Sequence, residues 1–324
     1  MHQPSLYEVL SGGSTQHTSQ MPEVYDFFAG AGGFSEGARQ AGCKVVWVCD
    51  NNELALETHA KNHPDAVHCL AELPMQKQDL PFPTDGRPYH VHFSPPCQKF
   101  SPVNQRKRNK GDETHAVDLV TWSLQTALSS GATSWSLEQV ASSTVISLVE
   151  AARARCPGRV EYAKIDFAEM GVPQRRVRVI AGSPALIAYV MRQRSASKVC
   201  SAQRAISKPR GTHLRNGKGW IQRSRGLGGK LKVVKADWGD HCTAISKPAP
   251  TVLADRGMNW VTKNRDGSVG NHPRLRMHEY AALQTFPLTY QWPDTEQLAL
   301  KHIGNAVPPL VAKVIMGWRK EERG

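Results

Sequence analysis

The stretch VYDFFAGAGG, residues 24–33, decides the fold class of this chain. It begins as a short apolar and aromatic run, which is typical of a buried β-strand, and it ends in a glycine-rich turn. Helix-forming residues follow the turn, and the apolar run Val45–Cys49 then ends at Asp50. This order of strand, turn, helix, strand and acidic residue indicates the first half of a doubly wound α/β sheet.

The same alternation of strands and helices continues to about residue 183 and predicts a mostly parallel α/β sheet over residues 21–183. After Pro184 the periodicity is lost, and helical patterns return only at Met277–Thr285 and Ala306–Arg319. We therefore expect a smaller basic domain after residue 183, followed by a C-terminal segment that the pattern assigns to neither domain. The later strands of the first sheet are predicted at Tyr89–Phe93, Ser134–Leu137, Val160–Ile165 and Val177–Ala181.

The positive charge of the chain is concentrated in one block. The formal net charge is +13, yet residues 170–236 hold 16 Lys or Arg and no Asp or Glu. The rest of the chain has 25 basic and 28 acidic residues and is close to neutral. Such a local excess is typical of a surface that faces a polyanion, although a solvated basic loop would look the same.

The remaining composition excludes several classes of protein. No run approaches the roughly 18 apolar residues of a membrane span, and residues 1–20 lack the features of a secretory signal. We interpret residues 1–20 as a polar, mobile lead-in. The seven cysteines contain no Cys-x-x-Cys pair, so neither a disulfide framework nor a metal site is expected, and a reducing compartment fits best.

The glycine-rich turn is a candidate ligand site. Gly30, Gly32 and Gly33 would let a ligand approach the backbone, and Asp50 is spaced to accept the two hydroxyl groups of a ribose. Turns of this kind bind NAD, FAD or S-adenosylmethionine. The Gly-x-Gly-Gly spacing disfavours a dinucleotide because no pyrophosphate seat is evident. A purely structural turn stays open on this motif alone.

A candidate nucleophile follows the strand Tyr89–Phe93. In the segment SPPCQ the prolines fix the backbone just before Cys97 and place it on a loop above the sheet edge. Glu138 ends another predicted strand at that edge. Arg176 and Arg178 alternate at the start of a third strand, so we expect them to share a face. A nearby arginine favours the thiolate form of a cysteine.

The chain resembles the cytosine-5 DNA methyltransferases. Five segments match that family's motifs in the family's order, whereas any one of them alone would be a moderate signal. They are DFFAGAGGFSEG at Asp26–Gly37, SPPCQKFS at Ser94–Ser101, GVPQRRVRV at Gly171–Val179, RLRMHEYAALQTFP at Arg274–Pro287 and KHIGNAVPPLVAKVI at Lys301–Ile315.

The resemblance implies a Rossmann-like S-adenosylmethionine methyltransferase fold and a mechanism. Cys97 would attack carbon 6 of a cytosine that is flipped out of the duplex. Glu138 would hold ring nitrogen 3 and the exocyclic amine, Arg178 would contact the ring carbonyl, and Arg176 would support the catalytic loop. The residues implied to contact DNA are Gln98, Ser101, Gln174, Arg223 and Arg225.

The resemblance also implies a cofactor set and a domain layout. S-adenosylmethionine would be the methyl donor, with S-adenosylhomocysteine as product and no metal. The last motif would return to the first domain, which would then comprise residues 21–183 plus 288–324, with the target-recognition domain at residues 184–287 inserted. The implied cofactor contacts are Phe28, Ala29, Gly30, Gly32, Gly33, Asp50, Asn51, Glu72, Pro95 and Asn305.

One position departs from the family pattern. The motif that usually reads Glu-Asn-Val is Glu138-Gln139-Val140 here. The asparagine normally braces the Pro-Cys loop, and Gln139 can make the same hydrogen bonds only if the loop shifts or its longer side chain folds back. That cost is about 1 kcal/mol, so we expect an active enzyme.

Three alternative functions stay open on the sequence. A tRNA cytosine-5 methyltransferase would use the same chemistry, but its Cys-Phe-Thr signature is absent, with only Cys242-Thr243 present. A catalytically weak regulatory DNA-binding relative would be consistent with Gln139. A dinucleotide oxidoreductase explains neither the Pro-Cys-Gln loop nor the basic block. We expect the protein to be a monomer that binds double-stranded DNA and no membrane. We expect it not to be secreted, and to be in the cytoplasm if it is bacterial or in the nucleus if it is eukaryotic.

Overall fold

The computed structural model describes residues 22–96, 110–195, 199–206, 208–216, 220–225, 231–237, 242–254, 257–262 and 273–321. Its main feature is a seven-stranded sheet in the order β3-β2-β1-β4-β5-β7-β6. The strands are β1 Glu23–Phe27, β2 Lys44–Asp50, β3 Val67–Leu70, β4 Tyr89–Phe93, β5 Ser134–Val140, β6 Glu161–Asp166 and β7 Val177–Gly182.

Helices connect the strands and cover both faces of this sheet. In chain order they are α1 Gly33–Gln40, α2 Glu53–Asn62, α3 Lys110–Ser129, α4 Ser143–Arg155, α5 Pro184–Arg192, α6 Ala202–Ala205, α7 Met277–Leu283, α8 Glu296–Asn305 and α9 Pro309–Glu321. Helices α1, α2, α5 and α9 pack on one face of the sheet, and α3 and α4 pack on the other. The predicted doubly wound α/β sheet is confirmed.

The sheet is parallel except at one strand. Strand β1 pairs in parallel with β2 and β4, and β4 pairs in parallel with β5. Strand β7 instead lies antiparallel between β5 and β6. Residues 167–176, which contain only a single 3₁₀ turn, join β6 to β7 and are too few for a helical crossover. The tight connection therefore reverses the direction of β7.

The end of the chain returns to its beginning. Helix α9 packs along α1, and its Val311, Ala312 and Ile315 lie in the same buried core as Phe34 and Ala38 of α1. Gly37 allows this close approach, because a Cβ atom there would lie 2.1 Å from the Pro309 carbonyl oxygen and 2.5 Å from Ala312 Cβ. The core of the first sheet thus needs residues from both ends of the described chain.

Each face of the seven-stranded sheet has its own hydrophobic core, and a third core is built mainly from residues that follow the sheet in the chain. It includes Leu214, Val252, Trp260 and Tyr280 together with Ile303 near the end of α8. The same part of the chain forms a three-stranded sheet in the order β11-β8-β12 and a separate antiparallel pair β10-β9. Their strands are β8 His213–Asn216, β9 Trp220–Arg225, β10 Leu231–Asp237, β11 Thr243–Ala244 and β12 Met258–Val261.

The expected domain limits at residues 183 and 288 fall inside packed regions. Helix α5, beyond the first limit, contributes Leu186 and Val190 to the core of the first sheet. Beyond the second limit, Tyr290 and Ile303 still belong to the third core, and the chain rejoins the first core at Val307. No helix in the described ranges is long and apolar enough to cross a lipid bilayer.

The contact between α1 and α9 generates a test. Gly37→Ala should destabilise the protein by about 2 kcal/mol, since the added methyl group meets backbone atoms of α9 that can move away only if the helix shifts. Gly317→Ala is the matched control, because the nearest atom to its Cβ would be the movable Tyr189 hydroxyl at 2.8 Å. Alanine is also the better helix former there. Urea unfolding of both variants measures the difference, and equal stabilities would contradict the assigned packing.

Candidate active site

The candidate site lies at the edge of the sheet where β1, β2 and β4 end. This is the edge where open parallel sheets bind their ligands. Ser94, which follows β4, donates from its backbone N–H to the Phe27 carbonyl (3.2 Å) and from its hydroxyl to the Phe28 carbonyl (3.2 Å). These two bonds fix the start of the Pro-Cys segment against the start of the glycine-rich turn.

The backbone of the turn has unusual geometry. Phe28 has a φ of 60°, a left-handed conformation that costs energy for a side chain of its size and that is concentrated at functional sites. Gly30 has a φ of 54°, and a Cβ atom built on it would meet no atom within 4 Å. The turn therefore presents its backbone to open space, as a ligand cradle requires.

Asp50 holds the turn from the end of β2. One carboxylate oxygen accepts a hydrogen bond from the Gly30 N–H (2.8 Å), and the other accepts from the Asn52 N–H (2.9 Å). Burial raises the pKa of Asp50 above its usual value, while these backbone donors act in the opposite direction. A carboxylate has about four lone-pair positions, so hydroxyl groups of a ligand could still bind to it.

Three buried polar side chains next to the turn are connected by hydrogen bonds. The Ser35 hydroxyl donates to Asp26 Oδ2 (2.7 Å) and also contacts His59 Nε2 (3.0 Å). Burial raises the pKa of Asp26 to about 7 and lowers the pKa of His59 well below its usual value. No role for these side chains follows from the sequence motifs. A polar residue such as Asp26 within an apolar strand is the signal that could have identified them.

The other residues expected to contact a cofactor surround this turn. Ala29 is buried, and its N–H donates to the Cys49 carbonyl (3.0 Å), which ties the turn to β2. Asn51 is exposed beside Asp50, and Glu72 is exposed just beyond β3. Asn305, the last residue of α8, is exposed as well. Gly32 and Gly33 are buried under Tyr290 and Val307, respectively.

Glu138 and Arg178 form a buried pair further along the same edge. Arg178 Nε lies 3.1 Å from Glu138 Oε1, and both side chains are about nine-tenths buried. Neither atom meets hydrogen-bond geometry with any group in the described part of the chain. Since buried polar atoms normally have hydrogen-bond partners, this pair has binding capacity available for a polar ligand.

Gln139 braces the Pro-Cys segment by folding back. Its side-chain N–H donates to the Pro95 carbonyl (2.8 Å), and its side-chain oxygen accepts from the Val140 N–H (2.7 Å). The side chain is fully buried. Of the two geometries open to the longer amide, the structure shows the folded one, and Pro95 itself is buried within this contact.

Several predicted residues lie outside the described part of the chain. Cys97, Gln98 and Ser101 fall between residues 97 and 109, which the structure does not describe. Arg223 and Arg225 lie in β9, but only their backbone is described. Their roles stay predictions. Strand β4 ends at Phe93, and Cys97 is two residues beyond Pro95, whose carbonyl group Gln139 holds.

Two of the predicted site residues, Gln174 and Arg176, are buried inside the protein. Gln174, expected to contact DNA, is fully buried, and its side chain bonds to the Leu283 carbonyl (2.9 Å), to Gln284 Oε1 (2.8 Å) and to the Val252 N–H (2.9 Å). Arg176, expected to support the catalytic loop on the same face as Arg178, instead donates to carbonyl groups of residues 252, 304 and 306. Both side chains therefore form hydrogen bonds with buried polar groups inside the protein.

Gln284 belongs to the same arrangement but was assigned no role from the sequence. It is fully buried and donates to the Ile303 carbonyl (2.6 Å). An amide that directly follows the apolar pattern of α7 is the signal that could have identified it. Among the described residues, no three His, Cys, Asp or Glu side chains group as a metal site would require.

Proteins of known activity resemble this chain over nearly its whole length. The type II methyltransferase M.HgiDI of Herpetosiphon aurantiacus is 26% identical over 306 residues, which cover 88% of this chain and 90% of that protein. The type II methyltransferase M.AplI of Arthrospira platensis is 25% identical over 312 residues, which cover 90% of this chain and 84% of that protein.

Solved structures share the fold. The Dnmt2 methyltransferase of S. pombe superposes with a TM-score of 0.61 at 15% identity and covers 94% of this chain and 99% of its own. The Entamoeba histolytica methyltransferase EhMeth gives a TM-score of 0.60 at 12% identity with the same coverage. The profile of the C-5 cytosine-specific DNA methylases matches residues 23–121 and 188–319, and the protein belongs to that family.

Proposed function

We propose that this DNA (cytosine-5)-methyltransferase transfers a methyl group from S-adenosylmethionine to a flipped-out cytosine of duplex DNA through a covalent bond to Cys97. The observation that carries the proposal is the buried Glu138–Arg178 pair, whose facing atoms lack hydrogen-bond geometry with the described residues. It lies beside the segment that leads into Cys97, where Gln139 holds the Pro95 carbonyl.

Cys97 is the nucleophile in this mechanism. Its thiolate forms a bond to carbon 6 of the cytosine, which moves electron density to carbon 5 and makes that carbon nucleophilic. After carbon 5 has gained the methyl group, it loses its proton to a base. The electron pair of that C–H bond restores the 5,6 double bond, the bond between sulfur and carbon 6 breaks, and the thiolate is regenerated.

Glu138 and Arg178 hold the base during these steps. Glu138 holds the exocyclic amine and ring nitrogen 3 of the cytosine. Arg178 donates to the ring carbonyl oxygen. These contacts need the base outside the helix, since pairing occupies the same edge of cytosine in duplex DNA. These contacts also stabilise the electron density that moves into the ring when Cys97 attacks carbon 6.

The turn around Gly30 fits S-adenosylmethionine. The open space beside Gly30 would accommodate the ligand next to the backbone, and the Asp50 carboxylate, which binds the Gly30 N–H, would accept from the ribose hydroxyl groups. Asn51, Glu72 and Asn305 are exposed, and we assign them to the same pocket. The cofactor would supply an electrophilic methyl group, whose bond to sulfur breaks so that S-adenosylhomocysteine leaves. Phe28, Ala29, Gly32, Gly33 and Pro95 complete the proposed pocket.

The third core and the strands around it form the proposed target-recognition domain. Strands β9 and β10 make a two-stranded antiparallel ribbon, an element that fits the major groove of DNA. Arg223 and Arg225 belong to β9, within the acid-free basic block. The packing supports a start of this domain after α5 and a return to the first domain between Ile303 and Val307.

A direct assay tests the function and the nucleophile together. We expect labelled S-adenosylmethionine to transfer methyl groups to duplex DNA and not to tRNA. The Cys97→Ala variant should lose methyl transfer while its cofactor affinity stays unchanged. DNA containing 5-fluorocytosine should form a stable adduct with the wild type, since fluorine at carbon 5 blocks the final elimination. Turnover by Cys97→Ala at the wild-type rate would disprove the covalent mechanism, and methylated tRNA would redirect the substrate assignment.

The cofactor pocket has its own test. Asp50→Ala should weaken S-adenosylmethionine binding by about 1–3 kcal/mol, because it removes charge-assisted hydrogen bonds to the ribose and also releases the Gly30 N–H. Titration calorimetry measures the affinity. The control is Asp65→Ala, which changes an exposed carboxylate away from the turn and should leave the affinity unchanged. Equal affinities for the two variants would place the ribose contact elsewhere.

From the sequence we expect Gln139→Asn to preserve or raise turnover, whereas the two bonds that Gln139 makes lead to the opposite prediction. Because Gln139 bonds at once to the Pro95 carbonyl and to the Val140 N–H, the shorter Gln139→Asn side chain cannot span both groups. We expect a loss of about 1 kcal/mol, which slows single-turnover methylation several-fold. Gln139→Leu should be slower still. Cofactor affinity serves as the control, and an asparagine variant as fast as the wild type would show that the fold-back contact is dispensable.

A further inference from the structure

Two buried side chains from other parts of the chain form hydrogen bonds to the end of α8. Arg176 Nη1 donates to the Gly304 carbonyl and Nη2 donates to the Ala306 carbonyl, each at 3.4 Å. Gln284 Nε2 donates to the Ile303 carbonyl at 2.6 Å and to the Ala306 carbonyl at 3.3 Å. The last carbonyl groups of a helix have no partner within the helix, so these donors determine how it ends. The carbonyl groups of Gly304 and Ala306, the two residues that flank Asn305, are thereby held.

The same side chains reach into the third core. Arg176 Nη1 also donates to the Val252 carbonyl at 3.3 Å, and the Val252 N–H donates to Gln174 Oε1 at 2.9 Å. Gln174 in turn donates to Gln284 Oε1 at 2.8 Å. Gln174, Arg176 and Gln284 therefore form one hydrogen-bonded cluster, which we call the clamp. It joins residues 303–306 to the segment around Val252.

Close backbone packing leaves residues 304–307 little room to move. A Cβ atom on Gly304 would lie 2.4 Å from the Ala254 backbone nitrogen, so this part of α8 rests directly on the segment after Val252. On the opposite side, a Cβ atom on Gly33 would lie 2.2 Å from the Val307 carbonyl oxygen. Asn305 thus lies between the third core and the first residue of α1, where the glycine-rich turn ends.

We infer that Arg176 is a positioning residue for the cofactor: it acts through the backbone of Asn305 rather than on the reacting base. This inference rests on the proposed function, in which the exposed Asn305 faces S-adenosylmethionine. Through the clamp, Arg176 sets the Asn305 side chain relative to the glycine-rich turn. It also links that setting to the position of Val252 in the proposed target-recognition domain.

The geometry explains why an arginine is needed here. Its planar group directs two nitrogens towards three carbonyl oxygens on two separate segments. A lysine has one nitrogen and cannot present the same fork. The neighbouring Arg175 offers a matched comparison, because it is largely exposed and its side chain pairs with Asp166 at 3.0 Å.

A double-mutant cycle on cofactor affinity tests the inference. The dissociation constant of S-adenosylmethionine is measured by calorimetry for the wild type, Arg176→Met, Asn305→Ala and the double variant. We expect each single change to weaken binding about ten-fold and the double variant to bind within two-fold of Asn305→Ala, because coupled sites give non-additive effects. Arg175→Met should bind like the wild type. If Arg176→Met does not fold, as judged by its thermal transition, Arg176→Lys takes its place with the same expected pattern and a smaller loss.

Two outcomes would overturn the inference. Losses that multiply to about a hundred-fold in the double variant would show that Arg176 and Asn305 act independently. An unchanged dissociation constant for Arg176→Met with a reduced turnover rate would assign Arg176 to the chemistry instead. A wild-type protein that fails to bind S-adenosylmethionine would contradict the proposed function itself, a result that is distinct from both.

Discussion

The structure depends on a requirement that buried polar groups be satisfied. Residues 174–176 run between the two parts of the molecule, where amide and guanidinium groups are removed from water. Gln174 is wholly buried and Arg176 nearly so, and their partners come from segments more than seventy residues away along the chain. An unpaired buried group costs about 1–3 kcal/mol. The segments near residues 252, 284 and 304 are therefore held in one arrangement by the need to pair them.

Strands β1 and β5 carry different parts of the proposed site at this edge of the sheet. Strand β1 passes directly into the turn whose backbone is open on one side, and β5 presents Glu138 towards Arg178 of β7. Ser94 binds the carbonyl groups of Phe27 and Phe28, and Gln139 binds the carbonyl group of Pro95, so the start of the Pro-Cys segment is held from both regions. In the proposed mechanism, the methyl donor and the base would lie on either side of this segment.

Local pattern in the sequence predicted most of the first sheet, because its strands are apolar runs bounded by glycine, proline or acidic residues. Tyr89–Phe93 is found as predicted. The reversal of β7 and the role of Gln174 depend on contacts that are distant in sequence, which local periodicity does not encode. A motif match could indicate that Gln174 and Arg176 matter, but not which groups they touch. Helix α5 was missed because its apolar face packs on a core assembled elsewhere.

The return of α9 to α1 has a consequence for biosynthesis. Domains generally fold as units while the N-terminal part of a chain emerges from the ribosome first. Here the first sheet exposes the apolar side of α1 until residues 309–321 have been made, since Val311 and Ile315 cover it. The strands around the third core are translated during that interval. The first domain to begin is thus among the last parts to be completed, and nascent chains stalled before Pro309 should be substrates for chaperones that bind apolar surfaces.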